Sequence, residues 1–177
     1  MQRFQIDGDA GHSYEIRIED AVGVSEELIR VLLEIDLQTF SEATFSNYTA
    51  AAFLRQGHVM LLRADGVIIG TCVLMRCWER PHEVALISMG IRPGWRGKGL
   101  GQRFLTGVVE RMRQLGMRAV AVMVADDNRR ALRVYEDVGF RFIETTLDDR
   151  RTGESFVLLR RVLQDDVPVA ALPPPDA

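Results

Sequence analysis

The apolar positions change their period along the chain, and each change marks an element. Tyr14-Glu15-Ile16-Arg17-Ile18 alternates apolar and charged residues, the pattern of a half-buried strand. Ser25-Glu26-Glu27 then opens a helix. Ser25 is suited to cap it, two acids fall in its first turn, and Leu28, Val31, Leu32 and Ile35 follow at helical spacing. A weaker helical pattern covers residues 41–56 and stops near Gly57. Two β-rich runs follow, His58 to Arg63 and Val67 to Met75, separated by Ala64-Asp65-Gly66, the chemistry of a tight hairpin. A third run, Val84 to Ile91, is almost continuously apolar and ends at Pro93, as a central strand buried on both faces would.

Beyond Pro93 glycines crowd together at Gly97, Gly99 and Gly101, and a helix begins at once. Phe104, Leu105, Val108, Val109, Met112 and Leu115 mark its buried face, and Gly116 stands where a C-terminal glycine belongs. Ala119 to Val124 predicts another strand. Asp126-Asp127-Asn128 offers capping residues for a helix that buries Ala131, Leu132, Tyr135 and Val138 and closes at Gly139. Two final strands are expected over residues 140–146 and 155–162, joined by a turn at Arg151-Thr152-Gly153. The order β-α-α-β-β-β-α-β-α-β-β predicts an α/β fold with a mixed sheet and helices packed on it. Residues 1–13, polar and holding Gly8 and Gly11, are expected to form a flexible arm. Residues 14–163 then make one domain, and residues 164–177, with Pro173-Pro174-Pro175, a disordered Pro-rich tail.

Composition narrows the class. The 177 residues suit one domain, and 47% apolar with 27% charged residues describes a globular chain rather than a disordered one. No apolar run approaches the roughly 18 residues of a membrane span, and the first residues lack the apolar stretch of a secretory signal. Cys72 and Cys77 are too few for a disulfide framework or a zinc cage, and their spacing in an apolar run puts them on opposite faces of a strand. These features predict a reduced, cytoplasmic protein with no metal and no membrane partner. The net charge of −3 argues against a nucleic-acid partner, but it is unevenly spread. Residues 1–50 carry ten Asp and Glu against three Arg, whereas residues 92–118 carry six Arg and Lys98 against Glu110 alone. The first region suits a cation and the second an anion.

The anion site has a candidate in Arg92-Pro93-Gly94-Trp95-Arg96-Gly97-Lys98-Gly99-Leu100-Gly101. Glycines between a strand end and a helix start let backbone N–H groups converge, and the helix N-terminus adds partial positive charge. Arg96 and Lys98 add full charges. A nucleotide P-loop needs Gly-Lys followed by Ser or Thr, and here Gly99 follows Lys98. The dinucleotide fingerprint needs G-x-G-x-x-G early in a βαβ unit, and that spacing is also missing.

The loop fits another pattern. Arg96-Gly97-Lys98-Gly99-Leu100-Gly101 resembles the Arg/Gln-x-x-Gly-x-Gly/Ala loop of the GNAT superfamily of acyl-CoA-dependent N-acyltransferases. Asn128, Ala131, Tyr135 and Gly139-Phe140 resemble that family's second stretch, Asn-x-x-Ala-x-x-x-Tyr-x-x-x-Gly-Phe, and the similarity covers about residues 58–147. The resemblance implies the GNAT fold: a central, mixed, mostly antiparallel sheet flanked by helices. It implies acetyl-CoA as co-substrate and no metal. It places the coenzyme pyrophosphate on Arg96, Gly97, Lys98, Gly99, Leu100 and Gly101, and the pantetheine arm beside Met89, Ile91 and Asn128. An Asn at position 128 is equally explained as a helix cap. Tyr135 takes the place of the residue that protonates the departing thiolate, the alternative being a core tyrosine. Glu83, 13 residues before Arg96, takes the place of a general base, the alternative being an exposed loop glutamate. His82 and Glu79 are lesser candidates. Bacterial ribosomal-protein N-terminal acetyltransferases, which the chain also resembles, carry a Glu on the next strand; Met123 stands there in this chain.

The reaction so implied is acetyl transfer from acetyl-CoA to a primary amine by direct attack in a ternary complex. Acids on the first helices (Glu26, Glu27, Glu34, Asp36 and Glu42) suggest a cationic acceptor, a protein lysine or N-terminal amine. The alternatives are a small polyamine-like or antibiotic-like amine, an aminoacyl-tRNA, or a non-catalytic acyl-CoA sensor. Oligomeric state is left open.

Overall fold

Phe4 and Ile6 alternate with polar residues, and in the structure that short alternation is enough to make a strand. In the computed structural model, which describes residues 2–8, 11–40, 44–149 and 154–163, β1 (Gln2–Asp7) occupies the segment expected to be a flexible arm. It pairs antiparallel with β2 (Ser13–Asp20), setting Phe4 opposite Ile16, and Gly8 N donates to His12 O at 2.7 Å to close the connection. Phe4 and Ile6 pack against the core while the other face of this edge strand meets solvent, so its sequence is mostly polar. The tail expected over 164–177 and the turn at 151–153 lie outside the described residues.

The remaining elements are α1 (Glu26–Phe40), α2 (Asn47–Gln56), β3 (His58–Ala64), β4 (Val67–Arg76), β5 (Glu83–Ile91), α3 (Leu100–Gln114), β6 (Ala119–Ala125), α4 (Arg129–Asp137), β7 (Arg141–Asp149) and β8 (Glu154–Val162). They build one eight-stranded sheet in the order β1-β2-β3-β4-β5-β6-β8-β7. Every neighbouring pair is antiparallel except β5 and β6, which run parallel on either side of α3 in sequence. The sheet is therefore mixed and mostly antiparallel, as expected. One face is covered by α3 and α4, where Phe104, Leu105, Val108 and Phe140 meet Ile16, Leu62, Leu86 and Val122. The other is covered by α1 and α2, where Val31, Leu32, Ile35 and Ala50 meet Val59, Leu61, Ile68 and Val73. The second helix starts later than its pattern suggests, because Ser46 caps it by accepting from Thr49 N at 3.1 Å. Asp36 is buried and accepts from Thr44 N, Thr44 Oγ1 and Phe45 N at 2.8, 2.5 and 3.2 Å, tying α1 to the segment before α2.

The functional geometry begins at one irregularity. Along β4 and β5 the pairs run Met75 with Ala85 and Leu74 with Leu86, then jump to Val73 with Ser88, so Ile87 is an extra residue on β5. The parallel pairing of β5 with β6 begins at Glu83 and Ala119 and ends at Leu86 and Val122, immediately before that residue. From there β6 stays with β8 as far as Ala125 opposite Phe156, while β5 follows β4. The two strands part and leave a wedge at the centre of the sheet.

Helix α1 holds the parted end of β5 from the other face. A Cβ built on Gly90 would sit 2.3 Å from Thr39 Oγ1 and 2.8 Å from Ile35 Cγ2, closer than atoms pack, so only glycine lets the helix approach this far. Gly90→Ala should therefore lower stability by roughly 1–3 kcal/mol through overpacking. Urea denaturation checks this; an unchanged midpoint would mean that α1 is not seated against the strand as described.

Candidate active site

The wedge opens into a cleft of about 500 Å³. Its walls are Ile87 to Ile91 of β5, Val122 to Val124 of β6, and the glycine loop at Arg96, Gly97 and Gly99. Gly101 and Gln102 at the start of α3, the α4 face with Asn128, Arg130, Ala131 and Tyr135, and Thr39 and Phe40 at the end of α1 complete it. Past Leu86 the β5 edge that faced β6 has no further ladder pairs, so its N–H and C=O groups are presented to the cleft. An extended ligand bearing amide groups can pair with such an edge as another strand would.

Between β5 and α3, Pro93–Trp95 forms one 3₁₀ turn and the chain then doubles back through Gly97 (φ +82°) and Gly99 (φ +71°). Both glycines are required by conformation, since a Cβ at either would meet nothing within 4 Å. Gly99 is the N-cap residue of α3 and no side chain caps that end. The first-turn amides of Leu100, Gly101 and Gln102 therefore have no intrahelical partner, and their direction, with the positive end of the helix dipole, suits an anion. Leu100 contributes through its backbone only, because its side chain is buried in the core.

The loop is held by its own basic and aromatic residues. Arg96 Nε donates to Ile91 O at 2.7 Å and Nη2 to Gln38 O at 2.6 Å, joining loop, β5 and the end of α1. Arg92 does the same between β4 and α1, through Ile68 O at 3.1 Å and Glu34 Oε2 at 2.9 Å. Trp95 packs edge-on against Tyr14 of β2, with 4.7 Å between ring centroids. Arg96 thus lines the cleft but commits its donors to backbone carbonyls, whereas Lys98 is exposed and does not line the cleft.

Tyr135 lies at the floor, 9% exposed, with its ring edge-on to Phe140 at 5.2 Å. Burial, and after it the neighbouring Cys72, pushes its phenol above the ordinary value, so it stays protonated through neutral and mildly alkaline pH. Asn128 both caps α4, its Oδ1 accepting from Ala131 N at 3.1 Å, and lines the cleft. The two readings of that residue are compatible.

Glu83 does not join these residues. It is neither in a loop nor exposed: it begins β5, is 3% exposed, and receives Arg160 Nε on Oε2 at 2.9 Å, with Arg80 Nη2 3.5 Å from Oε1. Glu83 pairs in register with Ala119, and Arg160 with Ala121, so the ion pair spans β6 over two alanines and ties β5 to β8. Of the acids of the first helices, Asp36 and Glu34 are engaged elsewhere, while Glu26 and Glu27 are exposed and do not line the cleft. Asp36 is buried in its tether, Glu34 pairs with Arg92, and Glu26 lines a separate groove on the outer side of α1 with Ile29, Leu33 and Leu37. Glu42 lies outside the described residues. No Asp or Glu is among the described residues that line the cleft. Thr39, Phe40, Ile87 and Arg130 line it without any signal in the sequence, because strand register brings Ile87 there and the packing of α1 and α4 on the sheet brings the others.

Residues 25–140 match the Acetyltransferase (GNAT) family. The chain belongs to that family. It is similar to the N-alpha-acetyltransferase RimI of Mycobacterium tuberculosis, 30% identical over 97 residues, 51% of this chain and 60% of that one. It is also similar to the mycothiol acetyltransferase of Sanguibacter keddieii, 27% identical over 88 residues, 48% of this chain and 28% of that one. The chain thus spans less than two thirds of either relative. Among solved structures, the Bacillus subtilis acetyltransferase in complex with CoA shares the fold with a TM-score of 0.66 at 19% identity, covering 84% of this chain and 99% of that one.

Arg160→Met should strand the Glu83 carboxylate in the sheet and lower stability by roughly 3–5 kcal/mol, much of which Glu83→Gln in the same chain should recover. A double-mutant cycle by denaturant unfolding measures both, and additive effects would show that the two strands are not joined through this pair.

Proposed function

We propose that the chain transfers the acetyl group of acetyl-CoA to a primary amine, the N-terminal or lysine amine of a protein, within a ternary complex. The observation that carries this is the parting of β5 and β6 at Ile87 directly beneath an uncapped helix N-terminus. It brings Met89, Ile91, Gly97, Gly99, Gly101, Asn128 and Tyr135 onto one cleft. The residues fit the coenzyme. The amides from Gly97 to Gln102 would hold its pyrophosphate, with Lys98 adding charge at the rim, and the open edge of β5 at Met89 and Ile91 would pair with its amide-bearing arm beside Asn128. When bound, the coenzyme supplies the acetyl group already activated as a thioester.

The chain supplies the rest. N–H groups of β5 next to Ile87 stabilise the negative charge that develops on the carbonyl oxygen. Tyr135 gives its proton to the leaving sulfur and regains one from solvent. The carbon–nitrogen bond forms as the carbon–sulfur bond breaks, and the amine proton passes to water, since Glu83 is bound to Arg160 away from the cleft. The similarity to RimI supports a protein amine, and that to mycothiol acetyltransferase supports a small-molecule amine as the second reading. The free cysteines suit a reduced, cytoplasmic setting.

Three measurements test the reading. Labelled acetyl-CoA incubated with a panel of peptides and small amines should label an amine; binding of acetyl-CoA without transfer to any of them would leave only a sensor. Tyr135→Phe keeps the ring and removes the acid, so turnover should fall about 10²–10⁴-fold at nearly constant acetyl-CoA affinity. In both proteins the rate should rise about tenfold per pH unit below the pKa of the acceptor amine, because only the deprotonated amine attacks and Tyr135 does not titrate there. Full activity in Tyr135→Phe would remove the tyrosine from the chemistry.

A further inference from the structure

Three large apolar side chains from three separate elements line the cleft beside the point where the strands part. Phe40 ends α1 and is 45% exposed, Ile87 is the extra residue of β5 and is 43% exposed, and Met123 on β6 is 58% exposed. Scattered apolar residues on a surface need no explanation, but half-exposed apolar residues converging on a reactive cleft form a contact surface. The charges around them complete the picture. The charged residues among the described cleft lining are Arg96 and Arg130, and the guanidinium of Arg96 is given to Ile91 O and Gln38 O. Of the described carboxylates on the neighbouring elements, Glu34 is engaged by Arg92, Asp36 by Thr44 and Phe45, and Glu83 by Arg160, and none lines the cleft. Nothing in this lining receives a second positive charge on the acceptor, and Arg130 favours an acceptor without one.

From this we infer that the acceptor is a primary amine with an apolar group on the carbon that bears it, and that Phe40, Ile87 and Met123 select that group. The inference rests on the acetyl-transfer reading and narrows it. Two sources share this chemistry, the α-amine of a peptide with an apolar first residue and a small apolar monoamine. Polyamines and peptides with an acidic first residue are disfavoured, because each brings charge to a surface built to exclude water.

The test compares kcat/KM for tetrapeptides identical except for a first residue of Leu, Gly or Asp, with isoamylamine and spermidine alongside. The Leu-headed peptide should exceed the Gly-headed one by at least tenfold, since each methylene in an apolar pocket is worth about 10–200-fold. Phe40→Ser and Met123→Ser, two surface changes on different elements, should each shrink the Leu-to-Gly ratio several-fold. Isoamylamine matching the Leu-headed peptide would assign the site to monoamines, and its failure beside an active peptide would assign it to peptides; both support the inference. A preference for spermidine or for the Asp-headed peptide, or a ratio unmoved in both variants, overturns it while leaving acetyl transfer intact. Absence of transfer to every probe, with acetyl-CoA still bound, overturns the acetyl-transfer reading and this inference with it.

Discussion

The structure turns on the extra residue that ends one strand pairing. With Ile87 inserted in β5, the strand keeps its bond to β4 but loses its register with β6, and a sheet that would otherwise be continuous opens along half of one seam. Backbone groups that every buried strand must satisfy are left facing a cleft. A row of such donors and acceptors in an apolar setting is costly unless something pairs with it, and here the parted edge lies next to the first-turn amides of α3, which need a partner for the same reason. Two unmet backbone requirements, one extended and one at a helix end, converge on one ligand-sized space.

An opened sheet needs bracing, and the molecule supplies it on both sides of the wedge. Below Ile87 the Glu83–Arg160 pair crosses β6 over Ala119 and Ala121 and holds β5 to β8. Above it, Arg92 and Arg96 tie the glycine loop to α1 and β4, while Gly90 lets α1 press against β5. Helix α3 is set by Arg111, whose Nε and Nη2 donate to Asp20 Oδ2 on β2 at 2.9 and 2.5 Å, with His58 at 3.0 Å on the same carboxylate. Most of the arginine excess between residues 92 and 118 therefore fastens elements together. The cleft itself is lined by Arg96 and Arg130, beside the first-turn amides of α3.

Features that depend on neighbours in sequence were legible in it. Asn128 and Ser25 are caps, Gly97, Gly99 and Gly116 take positive φ, and Asp65-Gly66 turns the hairpin between β3 and β4. The loop and Tyr135 are named through their resemblance to the family's two motifs, since spacing alone reads equally as a tight turn and a core tyrosine. Features that depend on a distant partner were not. Glu83 reads as a base or an exposed loop residue until Arg160, 77 residues away, is seen beside it, and Glu34 and Asp36 of α1 read as part of a cation site until Arg92, Thr44 and Phe45 are seen to take them up. Residues 2–7 read as loose because half of an edge strand is polar, and the insertion of Ile87 exists only as a mismatch between two strands.

The central claim is that the edge of β5 beyond Ile87 is open until a coenzyme pairs with it. Amide hydrogen exchange, resolved residue by residue by NMR, tests this directly. Without ligand, the amides of Ser88 to Ile91 that are not engaged by β4 should exchange far faster than those of Val84 to Leu86, and saturating CoA should slow them by at least tenfold. Unchanged exchange along Ser88 to Ile91 in a sample shown to be saturated with CoA would contradict the account.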